Sequence, residues 1–148
     1  MALFRFSRER FVNYVNTFIA VAPDSAATLG SVPPERGGKK SIAVLEHALI
    51  VGAPYGYTQE EVQFAVHVRR AGLSHRELEL RRAELWRDFF AKPMACMRTS
   101  PLPKSYGWGL HFNEAGKVAL VGVESPAYQR LAHDSTIAQT RAMRNKKA

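Results

Sequence analysis

Residues 106–124 read YGWGLHFNEAGKVALVGVE. Two runs that alternate apolar residues with small ones flank Asn113-Glu114-Ala115-Gly116. Asn at the first turn position and Gly at the fourth suit a type I turn closed by a glycine bulge. Such a turn sets Asn113 opposite Lys117, and the period of two then fixes the register. Phe112 pairs with Val118, Leu110 with Leu120, Trp108 with Gly122 and Tyr106 with Glu124. On the other face His111 meets Ala119, Gly109 meets Val121 and Gly107 meets Val123. In this register Trp108 is expected to lie across the bare backbone of Gly122. Gly107 and Gly109 strip the opposite face, which then admits a helix, a second chain or a ligand.

Outward from the hairpin, Tyr14 to Ala22 is rich in β-formers and ends at Pro23-Asp24, the signature of a first strand. Residues 23–40 carry three prolines and three glycines, and read as a long loop. Ser41 caps a helix from Ile42 to about Val51, apolar on most sides and therefore largely buried. Thr58 and Glu61 have capping-box spacing, yet Val62, Phe64, Val66 and Val68 alternate, which predicts a strand after one helical turn. Ser74 and Glu77 form a second box, opening a helix to about Ala91 with Leu78, Leu85, Trp86 and Phe89 on one face. Ala95 to Ser100 reads as a short strand. Ser125-Pro126 starts a C-terminal helix, broken near Asp134. The expected fold is α+β: a mainly antiparallel sheet of about five strands with three main helices packed on it.

With 148 residues, 46% hydrophobic and 23% charged, the chain suits a single domain over residues 1–148 and not a disordered polymer. Residues 1–12 read as an N-terminal extension and 141–148 as a basic tail, both free to be flexible. One cysteine leaves no disulfide framework and no cysteine-based zinc cluster. Arg5, Arg8 and Arg10 interrupt any signal-peptide core. The longest apolar stretch, 42–51, is too short for a membrane span and contains Glu46 and His47. A cytoplasmic protein that does not engage membranes is expected.

The formal charge of +8 is spread over four groups. Arg36, Lys39 and Lys40 precede Ser41 at a helix N-terminus, where free N–H groups and the helix dipole favour an anion. The spacing is not that of a P-loop, since Pro33 stands where the first glycine belongs and Lys40 where Ser or Thr belongs. A second candidate anion site is Arg98, Ser100, Lys104, Tyr106 and His111, with Arg98 and Ser100 pointing the same way from one strand. Cys96 with His111 as base and Glu124 as orienter is a weaker nucleophile arrangement, because a cysteine between Ala95 and Met97 behaves as a small core hydrophobe. The five histidines show no metal-ligand spacing, so neither metal nor other cofactor is implied.

Several stretches are familiar as an ordered set: NYVNTFIAVA, VPPERGGKKSIA, PYGYT, ACMRTSPLPKSYGWGLHF, GKVALVGVES and the terminal AMRNKKA. Over about residues 13–147 the chain resembles a family of small bacterial proteins catalogued as a domain of unknown function. The resemblance implies a single intracellular bacterial domain and brings no activity, ligand or catalytic residue with it.

The residues point first to a domain binding a phosphate- or carboxylate-bearing small molecule, with turnover as an extension of that reading. A nucleic-acid-binding accessory protein is the alternative, resting on the cationic tail with Trp108, Tyr55 and Tyr57 as stacking groups. A homo-oligomeric module using the glycine-stripped sheet face is the third reading.

Overall fold

The computed structural model describes residues 13–38 and 40–146. The expected extension at 1–12 and the last two residues of the basic tail lie outside the described residues. In chain order the elements are β1 (Thr17–Ala20), α1 (Ile42–Gly52), α2 (Gln59–Ala71), α3 (His75–Phe89), α4 (Pro101–Ser105), β2 (Trp108–Phe112), β3 (Val118–Gly122), α5 (Pro126–Ala132) and β4 (Ala138–Arg141). The α+β class is as expected. The sheet, however, has four described strands in the order β3-β2-β1-β4, and it is mixed: β1 runs antiparallel to β2 and parallel to β4.

The hairpin has the register that its turn dictates. Trp108 pairs with Gly122, Leu110 with Leu120 and Phe112 with Val118. Asn113 N–H donates to the Lys117 carbonyl at 2.9 Å, and Gly116 takes φ +79°, the left-handed conformation that the bulge demands. One face of the sheet presents Ile19, Leu110, Phe112 and Val118 to α1, α2 and α4, whose Leu45, Ile50, Val62 and Leu102 complete the main core. The other face presents Phe18 and Val121 to Tyr128 of α5. The sheet is thus the middle layer of three.

The alternate glycines are accounted for by packing within the chain. A Cβ on Gly109 would stand 2.6 Å from the Phe18 ring and 2.9 Å from that of Tyr128. Those two rings meet edge-on at 5.0 Å between centroids, and the Tyr128 hydroxyl accepts from Val21 N–H at 2.9 Å. Gly107, at φ +78°, lies against the Leu29 carbonyl. The Trp108 ring rests on Gly30, and its Nε1–H donates to the Ser31 carbonyl at 2.8 Å. Glu124 is what crowds Gly122, and its carboxylate also accepts from Gly30 N–H. The long loop is therefore pinned to the base of the hairpin.

Three expectations are corrected. Residues 62–68 belong to helix α2, because the Thr58–Glu61 capping box is complete and starts it. Their alternation arises because the helix is buried on two sides: Val62 and Val66, one turn apart, face the core, while Phe64 meets Trp86 and Phe89 of α3. Residues 95–100 form no strand. Met97–Thr99 is a 3-10 turn, and Ser100 accepts from Leu102 N–H to cap α4, whose Pro101 stands at the position where a missing N–H costs nothing. Pro101-Leu102-Pro103 is therefore the first turn of a short helix. Finally, Ala138–Arg141 is a strand, and five helices stand among the described residues where three were expected.

The glycine packing can be tested directly. Gly109→Ala should destabilise the protein by about 1–3 kcal/mol, since Phe18 and Tyr128 are buried rings with no room to retreat. Gly122→Ala should cost less than about 1 kcal/mol, because only the flexible Glu124 side chain must move. Urea unfolding of the two variants measures both.

Candidate functional site

Helix α1 is apolar along most of its length and carries one carboxyl, Glu46, turned inward and 6% exposed. Nothing in the helix can satisfy that group, so its partner comes from elsewhere. The Ser100 hydroxyl donates to Glu46 Oε1 at 2.7 Å. Ser100 is itself buried, and its oxygen accepts from Leu102 N–H at 3.1 Å. Glu46 Oε2 has no hydrogen-bond partner among the described residues, yet it is not sealed off from solvent. Glu46 is also one of the residues that line a cleft. Burial pushes the Glu46 pKa up from 4.5 to about 7, and the Ser100 hydrogen bond offsets only part of that rise.

The cleft has a volume of about 430 Å³. Ile42 and Glu46 come from α1, Val66, His67 and Arg70 from α2, Phe89 from α3, and Met94 to Met97 from the segment that follows. The His67 ring stacks on Phe89 at 4.4 Å, which fixes one wall. Gln63 donates from Nε2 to the Ala95 carbonyl at 2.7 Å, and Met97 N–H donates to buried Gln59 Oε1 at 2.7 Å. These two bonds hold the floor segment that positions Ser100. Arg70 is exposed and also borders a neighbouring, smaller cleft with Gly38, Lys40 and Arg69.

The residues singled out from the sequence fall into separate places. Ser41 caps α1, its hydroxyl accepting from Val44 N–H at 3.2 Å. Lys40 lies beside Arg69 and Arg70, Arg36 is exposed in the loop, and Lys39 lies outside the described residues. Arg98 and Ser100 point apart, since a 3-10 turn lacks the two-residue repeat of a strand: Arg98 donates from Nε to the Arg141 carbonyl while Ser100 turns in to Glu46. Lys104 lies in the last turn of α4, and Tyr106 packs at the edge of the main core. His111 Nδ1 lies 2.7 Å from the Tyr55 hydroxyl, on the α5 side of the sheet, and burial lowers its pKa. Cys96, His111 and Glu124 do not assemble: Cys96 Sγ accepts from the Tyr14 hydroxyl at 3.1 Å, and Glu124 is held by Gly30. Glu46 is a candidate site residue that motif and spacing rules pass over. Its signal is one acid inside an otherwise apolar helix, where an unpaired carboxyl is costly.

The model of a family described as "Family of unknown function (DUF6157)" matches residues 9–148. The chain belongs to that family. No curated protein and no solved structure matches it. Among the described residues, no helix is long and apolar enough to cross a membrane.

The raised Glu46 pKa has a consequence for stability. The native state keeps this proton up to about pH 7, whereas the unfolded chain releases it near 4.5. Between those values the native state binds more protons, so stability falls as pH rises through the window and levels off above it. The loss is on the order of 3 kcal/mol. Glu46→Gln keeps an oxygen for Ser100 and removes the titration. Urea unfolding of wild type and variant at pH 5 and pH 8 gives the stability difference between them. That difference should shift in favour of the Glu46→Gln variant at the higher pH.

Proposed function

We propose that this chain binds a small molecule with an apolar body and a carboxylate or phosphate group, in the cleft above Glu46. One observation carries the reading: a buried carboxyl, tied to Ser100 through one oxygen and unbonded at the other, among the residues that line an apolar cleft. Pockets with mostly apolar walls and a few convergent polar groups are the common form of small-ligand site. The apolar body fits against Ile42, Val66, Phe89 and Met94. Its anionic group fits at the rim, where Arg70 stands between this cleft and the one beside Lys40. A neutral hydroxyl, amide or carbonyl of the ligand meets Glu46.

Glu46 titrates near neutrality, so it can give a proton to a bound group or take one from it. That property supports turnover as an extension of binding. The lone Cys96, a free thiol, suits a reducing compartment, in keeping with a cytoplasmic bacterial protein.

Thermal-shift measurements with aromatic and branched aliphatic carboxylates, and with the corresponding phosphates, test the proposal. At least one class should raise the melting temperature by several degrees, as ligands of the native state do by mass action. Glu46→Gln should weaken that response about tenfold in ligand concentration, and Arg70→Ala should weaken it for the anionic compounds alone. Silence of the wild type across both classes, or an unchanged response in Glu46→Gln, overturns it.

A further inference from the structure

Arg98 and the chain that follows β4 build a second concavity, of about 660 Å³, which the Glu46 cleft does not use. Arg98, Arg141, Arg144 and Lys146 line it. None of the four forms an ion pair with a described residue, and the ion pairs among the described residues lie on α3. The backbone that carries them is fixed at several points. Met143 N–H donates to the Arg98 carbonyl at 2.8 Å, and Arg98 Nε donates to the Arg141 carbonyl at 2.5 Å. Asp24 accepts from the N–H groups of Asn145 and Lys146 at 3.1 and 3.0 Å, and Asn145 Nδ2 donates to the Lys104 carbonyl at 2.8 Å. Asp24 is the nearby acid, and its oxygens are engaged by these backbone amides, not by the four cations.

Four like charges in one groove repel each other, and an anion that enters it relieves that repulsion. Guanidinium forks match the paired oxygens of phosphate. Among the described residues no aromatic side chain lines the groove, so they offer no platform for stacked bases. The four cationic residues line one concavity. We propose that this groove binds a compact, multiply charged phosphate group, such as the diphosphate of a phosphorylated metabolite. It is a site separate from the cleft above Glu46 and does not depend on that cleft's ligand.

Isothermal titration of the full chain with inorganic pyrophosphate tests this, with orthophosphate and a single-stranded RNA oligonucleotide as comparisons. Pyrophosphate should bind more tightly than orthophosphate. The double variant Arg144→Ala with Lys146→Ala should weaken it at least tenfold at an unchanged melting temperature. Arg76→Ala with Arg87→Ala, which removes the same charge from exposed positions on α3, should leave the affinity within twofold of wild type. Glu46→Gln should leave it unchanged, so failure here and failure of the cleft reading are distinguishable. Absence of pyrophosphate binding, or equal losses in the two doubles, overturns the proposal. RNA that displaces pyrophosphate and binds far more tightly, with a steep salt dependence, also overturns it and makes the groove part of a nucleic-acid surface.

Discussion

The burial of one carboxyl constrains much of this structure. Removing Glu46 from water costs free energy that an apolar helix cannot return, and the fold meets the cost with one hydroxyl and a retained proton. Ser100 can supply that hydroxyl only if its backbone sits where α1 meets the start of α4. It is held there by its second role, as the cap of α4. Leu102 and Pro103, both buried, then follow in register, and the chain leaves α4 aimed into β2. One side chain thus joins a helix cap, the placement of a core leucine and the electrostatics of the cleft.

The second organising contact is aromatic. Phe18 and Tyr128 close over Gly109, and the Tyr128 hydroxyl takes the N–H of Val21 just beyond the end of β1. A sheet of four strands so short would gain little from its ladder alone. Here its two faces are sealed differently: a larger mixed aliphatic and aromatic cluster on the α1 side, the Phe18 and Tyr128 rings on bare backbone on the α5 side. The division leaves both candidate ligand sites at the margins, flanking the segment 95–101 from which Ser100 and Arg98 diverge.

What can be read from sequence is local. The Asn113–Gly116 turn carries its register within four residues, and the caps at Ser41, Ser74 and Ser125 each depend on one side chain and one N–H a turn away. Residues 62–68 mislead because period two also arises on a helix buried from both sides. β4 is illegible because AQTR at a sheet edge, mostly exposed, has no apolar alternation to display. The two sites escape for a related reason. Glu46 and Ser100 are 54 positions apart and Arg98 and Arg141 are 43 apart, and no spacing rule reaches that far. The terminal cations read as a frayed tail because the bonds that fix them run back to Asp24.

The parallel pairing of β1 with β4 leaves β1 dependent on a distant segment for one of its two edges. β1 is the third strand in the sheet order and its partner on one side is the last of the described strands. In chain order the other described strands and helices all precede residues 138–141. Without that segment one edge of β1, at Phe18 to Ala20, carries unpaired backbone groups beside an apolar face. Such an edge is a template for strands from other chains. A cut that removes β4 therefore leaves the other described elements in place while uncovering that edge of β1.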